Sequence, residues 1–280
     1  DENGRLKKTI TTDTISFQIA PRINAAGRMD HANVAFALLV ADDEAEAKSL
    51  AAQLQQNNLD RQKLTEKLTL EARYQVVESK QENNPMIFVL GDKWPTGILG
   101  LIAGRTREEF NRPTIAMGQN EAGEITGSGR SLPAVNMIEA IKTMPELFSK
   151  FGGHPQACGF SLKTEKNLAE FKQRLLDCSK NALQNIDLAP QLMIDAAVEL
   201  DHVTWPLYHT LQKFAPFGVA NPEPLYASLK VTVVAVEPVG ADGRHLRLLV
   251  KHNSHLVKKT ICFGFGDAEK HPADWKKNLK

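Results

Sequence analysis

Cysteine is scarce. Cys158, Cys178 and Cys262 are the only three in 280 residues. An odd, scattered set is no disulfide framework, and without a CxxC pair it begins no zinc site. That usage fits a reducing, cytoplasmic compartment. No apolar run approaches the roughly 18 residues of a membrane span. The polar start, DENGRLKKTI, has no signal-peptide core. It also has no initiator methionine and reads as the beginning of a piece cut from a longer protein. One-sided charge is missing too. The formal net charge is +1, so composition does not single out a nucleic-acid binder, and any basic surface must be local. Nothing resembles a Walker loop or a serine triad. His252 and His255 in KHNSH, and the lone pair Asp30–His31, have no third ligand nearby in sequence, so no metal site is expected in this chain.

What is present is a globular balance, 42% hydrophobic and 24% charged, long enough for two ordinary domains. Residues 1–34 read as an irregular interdomain segment that turns helical around PRINAAGRMDHAN. Residues 35–80 read as a long connecting segment of one or two helices, with Asp42 and Asp43 able to cap the second. No Pro or Gly occurs from Asp43 to Val77, and Leu50, Leu54, Leu64, Leu68 and Ala72 recur at helical spacing, interrupted at Asn57–Asn58. Over 81–184, strands (MIFVLG, PTIAMG, EITGSGRS, QACGFSL) alternate with helices (GILGLIAGRTREEF, VNMIEAIKTM, LAEFKQRLLDCSKNAL), which predicts an α/β domain. The glycine-rich FGGH reads as the turn before QACGFSL. Over 185–280, LMIDAAVEL, LYASLKVTVVAVEPV, HLRLLVKH and KKTICFGFG alternate like strands, with one helix around VTWPLYHTLQKF. The expectation is an all-β barrel of the OB type. HPADWKKNLK is not a natural closing strand, so the barrel is expected to be truncated.

Four segments carry the chemistry. PRINAAGR brings Arg22, Asn24 and Arg28 together as a candidate anion clamp, or as an interdomain ion-pairing patch. GDKWPTGILGLIAGR sets Gly97, Gly100 and Gly104 along a helix with Arg105. That spacing suits a phosphate approach or simple tight packing. GSGRS offers Ser128, Gly129, Arg130 and Ser131. Glycines let backbone amides approach an anion and the guanidinium can fork onto a phosphate, although an ordinary hairpin would look the same. FGGHPQACGFSL presents His154 behind Gly152 and Gly153, where an imidazole could meet a phosphoryl oxygen.

In this order and spacing the four segments, with FAPFGVANPEP after them, resemble the RecJ-type exonucleases of the DHH/DHHA1 phosphoesterase superfamily. The resemblance runs from about residue 17 to the end. It implies a DHHA1 substrate-binding domain over 81–184, preceded by the long helix and followed by the OB-like module. It implies part of a 5′→3′ single-stranded-DNA exonuclease of DNA repair and recombination. Mn²⁺ or Mg²⁺ would be held by a DHH domain that this sequence lacks, so the chain alone would be inactive. By the same resemblance His154 contacts the scissile phosphate. Ser128, Arg130 and Ser131 hold the neighbouring backbone, and Arg28 recognises the 5′ end. The implied partners are single-stranded DNA, the DHH domain, and a single-strand-binding protein or helicase, with no membrane. Where the family carries a histidine after the first tryptophan, this chain has Pro95. Tyr226, Phe263 and Phe265 are the aromatic candidates of the barrel, with core packing expected for at least two of them. Two rivals stay open at this point: an oligonucleotide phosphodiesterase of the nano-RNase kind, and a non-enzymatic scaffold.

Overall fold

The computed structural model describes residues 10–29, 31–240, 243–252 and 256–266. Asp30, His255 and the HPADWKKNLK segment lie outside the described residues. The chain divides into two units, Asp1–Pro190 and Gln191–Lys280. Among the described residues no helix is long and apolar enough to cross a membrane.

The first unit begins with more helix than its sequence suggested. A π-helical turn over Thr14–Ile19 runs into α1 (Ala20–Met29), and α2 (Asn33–Val40) follows. Of the one or two helices expected over 35–80, two are present. Ala41 is extended, and Asp43 caps α3 (Glu44–Glu78), its carboxylate accepting from the Ala45 amide at 3.2 Å. From there α3 is continuous. Leu54, Asn58, Thr65, Leu68, Ala72 and Val76 form its buried stripe. Asn58 does not break the stripe because its side-chain oxygen accepts from Arg61 at 3.0 Å.

The remaining elements of this unit are β1 (Ile87–Asp92), α4 (Thr96–Phe110), β2 (Thr114–Gln119), β3 (Ile125–Arg130), α5 (Met137–Lys142), β4 (Phe148–His154), β5 (Ala157–Leu162) and α6 (Asn167–Leu183). The five strands form one sheet in the order β1-β2-β3-β5-β4, with β1 and β2 parallel and the other pairs antiparallel. FGGH, expected to be a turn, is the end of edge strand β4. The reversal falls on Pro155 and Gln156. Glycine remains obligatory at 153: its φ is +152°, and a Cβ would lie 2.2 Å from the Ala157 carbonyl oxygen.

Helices cover both faces of the sheet. One core joins Ile115, Met117, Phe160, Met137, Phe171 and Leu175, bringing in α5 and α6, with the Phe160 and Phe171 rings 4.7 Å apart. The other packs Val89 and Ala116 against Ile98, Ile102 and Ala103 of α4 and Leu68, Ala72 and Val76 of α3. Each large aliphatic side chain so buried contributes about 1.5–3 kcal/mol of transfer free energy.

The second unit is mostly β. A two-residue parallel pair, β6 (Ala196–Ala197) with β7 (Tyr226–Ala227), encloses α7 (Trp205–Leu211) in sequence. Strands β8 (Thr232–Val239), β9 (His245–Lys251) and β10 (Val257–Cys262) form an antiparallel sheet with β9 central. Leu246, Leu248 and Val250 alternate inward on β9 and pack with Leu200. LMIDAAVEL supplies only the two residues of β6 in place of a full strand, and the described strands form these two sheets and not a closed barrel. Phe263 is 76% and Phe265 42% exposed, so neither fills a core as expected.

Candidate nucleic-acid interface

The strand register decides which residues meet. On β3, β5 and β4, Arg130 pairs with Ala157 and Ala157 with His154. One step along, Ser128 pairs with Gly159 and Gly159 with Gly152. Directly opposed residues of an antiparallel ladder project to the same face. Arg130 and His154 therefore share a face and a row, one strand apart on each side of β5, or ~10 Å at the usual strand spacing. It is the face that α4 packs on, because Ser128 also opposes Ala116 in the α4 core.

Gly100, in the first half of α4, lies against Arg130 and Ser128. A Cβ on Gly100 of α4 would lie 2.7 Å from an Arg130 guanidinium nitrogen and 3.2 Å from Ser128 Oγ. Gly100 thus serves packing, and so does Gly97, whose Cβ would lie 2.4 Å from the Arg28 carbonyl oxygen. Toward the β4 edge this face is open among the described residues. A Cβ on Gly152 would meet nothing within 4 Å, and one on Gly159 only a carbonyl oxygen at 4.0 Å. Gly152, Gly153, His154 and Gly159 are exposed. The result is a floor of peptide backbone with Arg130 on one side and His154 at the sheet edge.

Arg130 is held in place. Its Nη1 donates to Ser128 Oγ at 3.1 Å and to the Gly129 carbonyl at 2.8 Å, while Ser128 donates to the Cys158 carbonyl at 3.1 Å. Its guanidinium pKa is lowered, first by burial and further by the nearby Arg28 charge, against an opposing effect of Cys158. Arg28 in turn donates to the Gly97 carbonyl at 2.9 Å, tying the end of α1 to the start of α4. Arg61 on α3 was not picked out from sequence. Its pKa is lowered by burial and then by Arg28 and Arg105. Arg28 is thus within electrostatic reach of both Arg130 and Arg61, and Arg61 of Arg105, and none of the four forms a described ion pair with a carboxylate. Neighbouring like charges without carboxylate partners among the described residues fit a site that takes an anion. The sequence signal for Arg61 is faint: a cation on the buried side of a helix three residues from a buried Asn.

Other candidates fall elsewhere. Ser131 is 2% exposed and its hydroxyl donates to the Val135 carbonyl at 2.7 Å, so its role here is in the turn after β3. Gly129 faces the opposite core, beside Met137 and Ile115. Arg22 donates to Gln55 at 2.6 Å and to the Gln18 carbonyl, and Asn24 is exposed on α1. Cys158 lies under the floor; burial pushes its thiol up to about 12, which rules it out as a thiolate nucleophile at neutral pH. Among the described residues no three His, Cys, Asp or Glu come together as a metal centre. In the second unit, Trp205 and Tyr208 of α7 stand 73% and 48% exposed with rings 5.7 Å apart, an aromatic pair that the sequence reading passed over.

Residues 83–181 match the DHHA1 domain family, and residues 194–279 match the RecJ OB domain. The single-stranded-DNA-specific exonuclease RecJ of Bacillus subtilis is 32% identical over 258 residues, covering 92% of this chain and 32% of that protein. Its Escherichia coli counterpart is 30% identical over 255 residues, covering 89% and 44%. The chain thus spans less than half the length of these relatives. Among solved structures, Thermus thermophilus RecJ in complex with Mg²⁺ superposes with a TM-score of 0.70 at 28% identity, over 91% of this chain and 38% of that one. A manganese-bound RecJ gives 0.54 at 31% identity, over 62% and 44%. Both units of the chain are similar to RecJ, each to its own domain, in the order DHHA1 then OB.

Proposed function

We propose that this chain is the strand-gripping portion of a metal-dependent 5′→3′ single-stranded-DNA exonuclease acting in DNA repair and recombination. One observation carries the reading: Arg130 and His154 flank an exposed glycine floor on one face of the sheet, and the Arg28 charge acts on Arg130. A polyanion laid across that floor relieves the mutual repulsion of the guanidinium groups and can approach the backbone without meeting side chains. Phosphate contacts hold any sequence alike, which suits an enzyme that digests strands of every composition. His154, at the edge of the floor, contacts the phosphate nearest the reacting bond. Ser128 and Arg130 hold the next, and Arg28 meets the strand end. The second unit adds contacts through exposed rings such as Trp205, Phe263 and Phe265.

The described donor set does not fit Mn²⁺ or Mg²⁺, so ligands for the metals named with the solved relatives would come from a DHH domain outside this chain. Alone, the chain binds and does not cleave. In the cytoplasm it would work joined to that domain, with a single-strand-binding protein or helicase delivering the strand.

The test is anisotropy of a labelled single strand across a salt series, with a parallel Mn²⁺ digestion. The reading expects binding that weakens steeply with salt and no nucleotide release. Salt-insensitive binding, or release of nucleotides, contradicts it.

A further inference from the structure

The row of β3 that carries Ser128 and Arg130 begins at Thr126, and at that end the structure holds a cavity of about 320 Å³. Residues two apart share a face, so Thr126, Ser128 and Arg130 point the same way. Thr126 lies ~13 Å from Arg130 at the usual rise per residue. The cavity is therefore within reach of a short stretch of single strand whose phosphate is held at Arg130.

Its chemistry is the opposite of the arginine cluster. Lys93 is paired with Glu121 at 3.1 Å, and Glu124 adds a further carboxylate, so the lining is net negative. A phosphate is repelled there. Hydroxyls of Thr96 and Thr126 stand 3.2 Å apart, and the Gln119 amide also lines the space. Pro95 provides apolar lining, with the largely buried Trp94 beneath it. That lining is fixed: the Trp94 indole donates to Glu71 at 3.2 Å, and a Cβ on Gly118 would lie 2.3 Å from the Trp94 carbonyl oxygen. Apolar walls, hydroxyls, an amide and a carboxylate that can accept from an exocyclic amine are the requirements of a nucleobase.

We propose that this cavity receives one base of the bound strand, and that Glu124, Thr96 and Thr126 favour a base carrying an exocyclic amine over thymine. The inference rests on the strand-gripping reading and names the part of the ligand that the arginine face leaves unread. The phosphates lie at the basic end of the row and one base at the acidic end.

The probe is a 5′-phosphorylated oligothymidylate in which a single adenine or cytosine is moved one position at a time, titrated into the whole chain. At one position the substitution should tighten binding about fivefold or more, the usual range for a good base contact. Thr126→Val and Glu124→Met should each remove that preference while leaving the slope of affinity against salt unchanged. Thr126→Val keeps a β-branched residue in the strand, and Glu124 is exposed, so both variants should fold. Arg130-dependent binding with no favoured position, or a preference that survives both variants, overturns this inference and leaves the strand-gripping reading intact. No binding of any oligonucleotide at low salt overturns both.

Discussion

The two edges of the five-stranded sheet are finished in opposite ways. At the β1 edge, Gln75 of α3 donates to the Leu90 carbonyl at 3.0 Å and accepts from the Leu90 amide at 3.1 Å. Gln81 does the same for Phe88, at 3.1 and 2.9 Å. Two side-chain amides stand in for a missing strand and seal that edge. Among the described residues the β4 edge has no such cover, and six of its seven residues are exposed. The sealed edge belongs to the scaffold; the open one carries Gly152, Gly153 and His154. An edge left open in this way offers backbone that the proposed strand could meet.

The contrast can be broken from the sealed side first. Replacing both Gln75 and Gln81 by Ala strips four half-buried backbone groups of their partners and should cost about 2–4 kcal/mol in urea unfolding. Single-strand affinity of the folded protein should be unchanged. A loss of affinity with stability intact would mean that the β1 edge, too, serves binding.

From the open side, Arg130→Ala should weaken single-strand binding about tenfold, equally for all sequences, and reduce the salt slope by about one. A loss confined to particular base sequences contradicts a phosphate contact.

Two glycines sharpen the comparison. A methyl at Gly129 would lie 2.1 Å from Met137 Sδ, so Gly129→Ala should cost about 1–3 kcal/mol by overpacking. Gly152→Ala meets nothing, so stability should hold to within about 0.5 kcal/mol while affinity falls a few-fold as the floor rises. If Gly152→Ala binds as tightly as the parent, the floor is not used.

How much of this was legible in sequence follows from range. The strands and helices of 87–183 could be read because each announces itself within its own length, by apolar runs for strands and helical spacing for α6. FGGH misled because glycines suggest a turn locally, whereas the pairing of Gly152 and Gly153 with Gly159 and Cys158 is a tertiary fact. Arg130 and His154 were identifiable singly, but their shared row depends on β5 lying between them. Ser131 looked like Ser128 in sequence and differs only because the chain turns after Arg130. Arg61 and Gln75 have ordinary helical neighbours and Gln81 lies in the turn after α3, and nothing short of the packing reveals them.

The smallest effect concerns the thiol beneath the floor. With its folded pKa raised from an ordinary 9.0 to about 12, the Cys158 thiol favours the folded state below pH 9. That contribution is lost as pH rises from 9 toward 12, because the unfolded chain gives up the proton first. Alkylation at pH 8 should modify the partly exposed Cys178 and Cys262 well before Cys158. Equal rates at all three would mean that the floor opens readily.

The most direct test is amide chemical-shift mapping of the labelled chain during titration with a short 5′-phosphorylated single strand. The account expects shifts concentrated at Ser128, Arg130, Gly152, His154 and Gly159, with Phe88 and Leu90 unmoved. Shifts that avoid this face, or that fall only within residues 191–280, would contradict it.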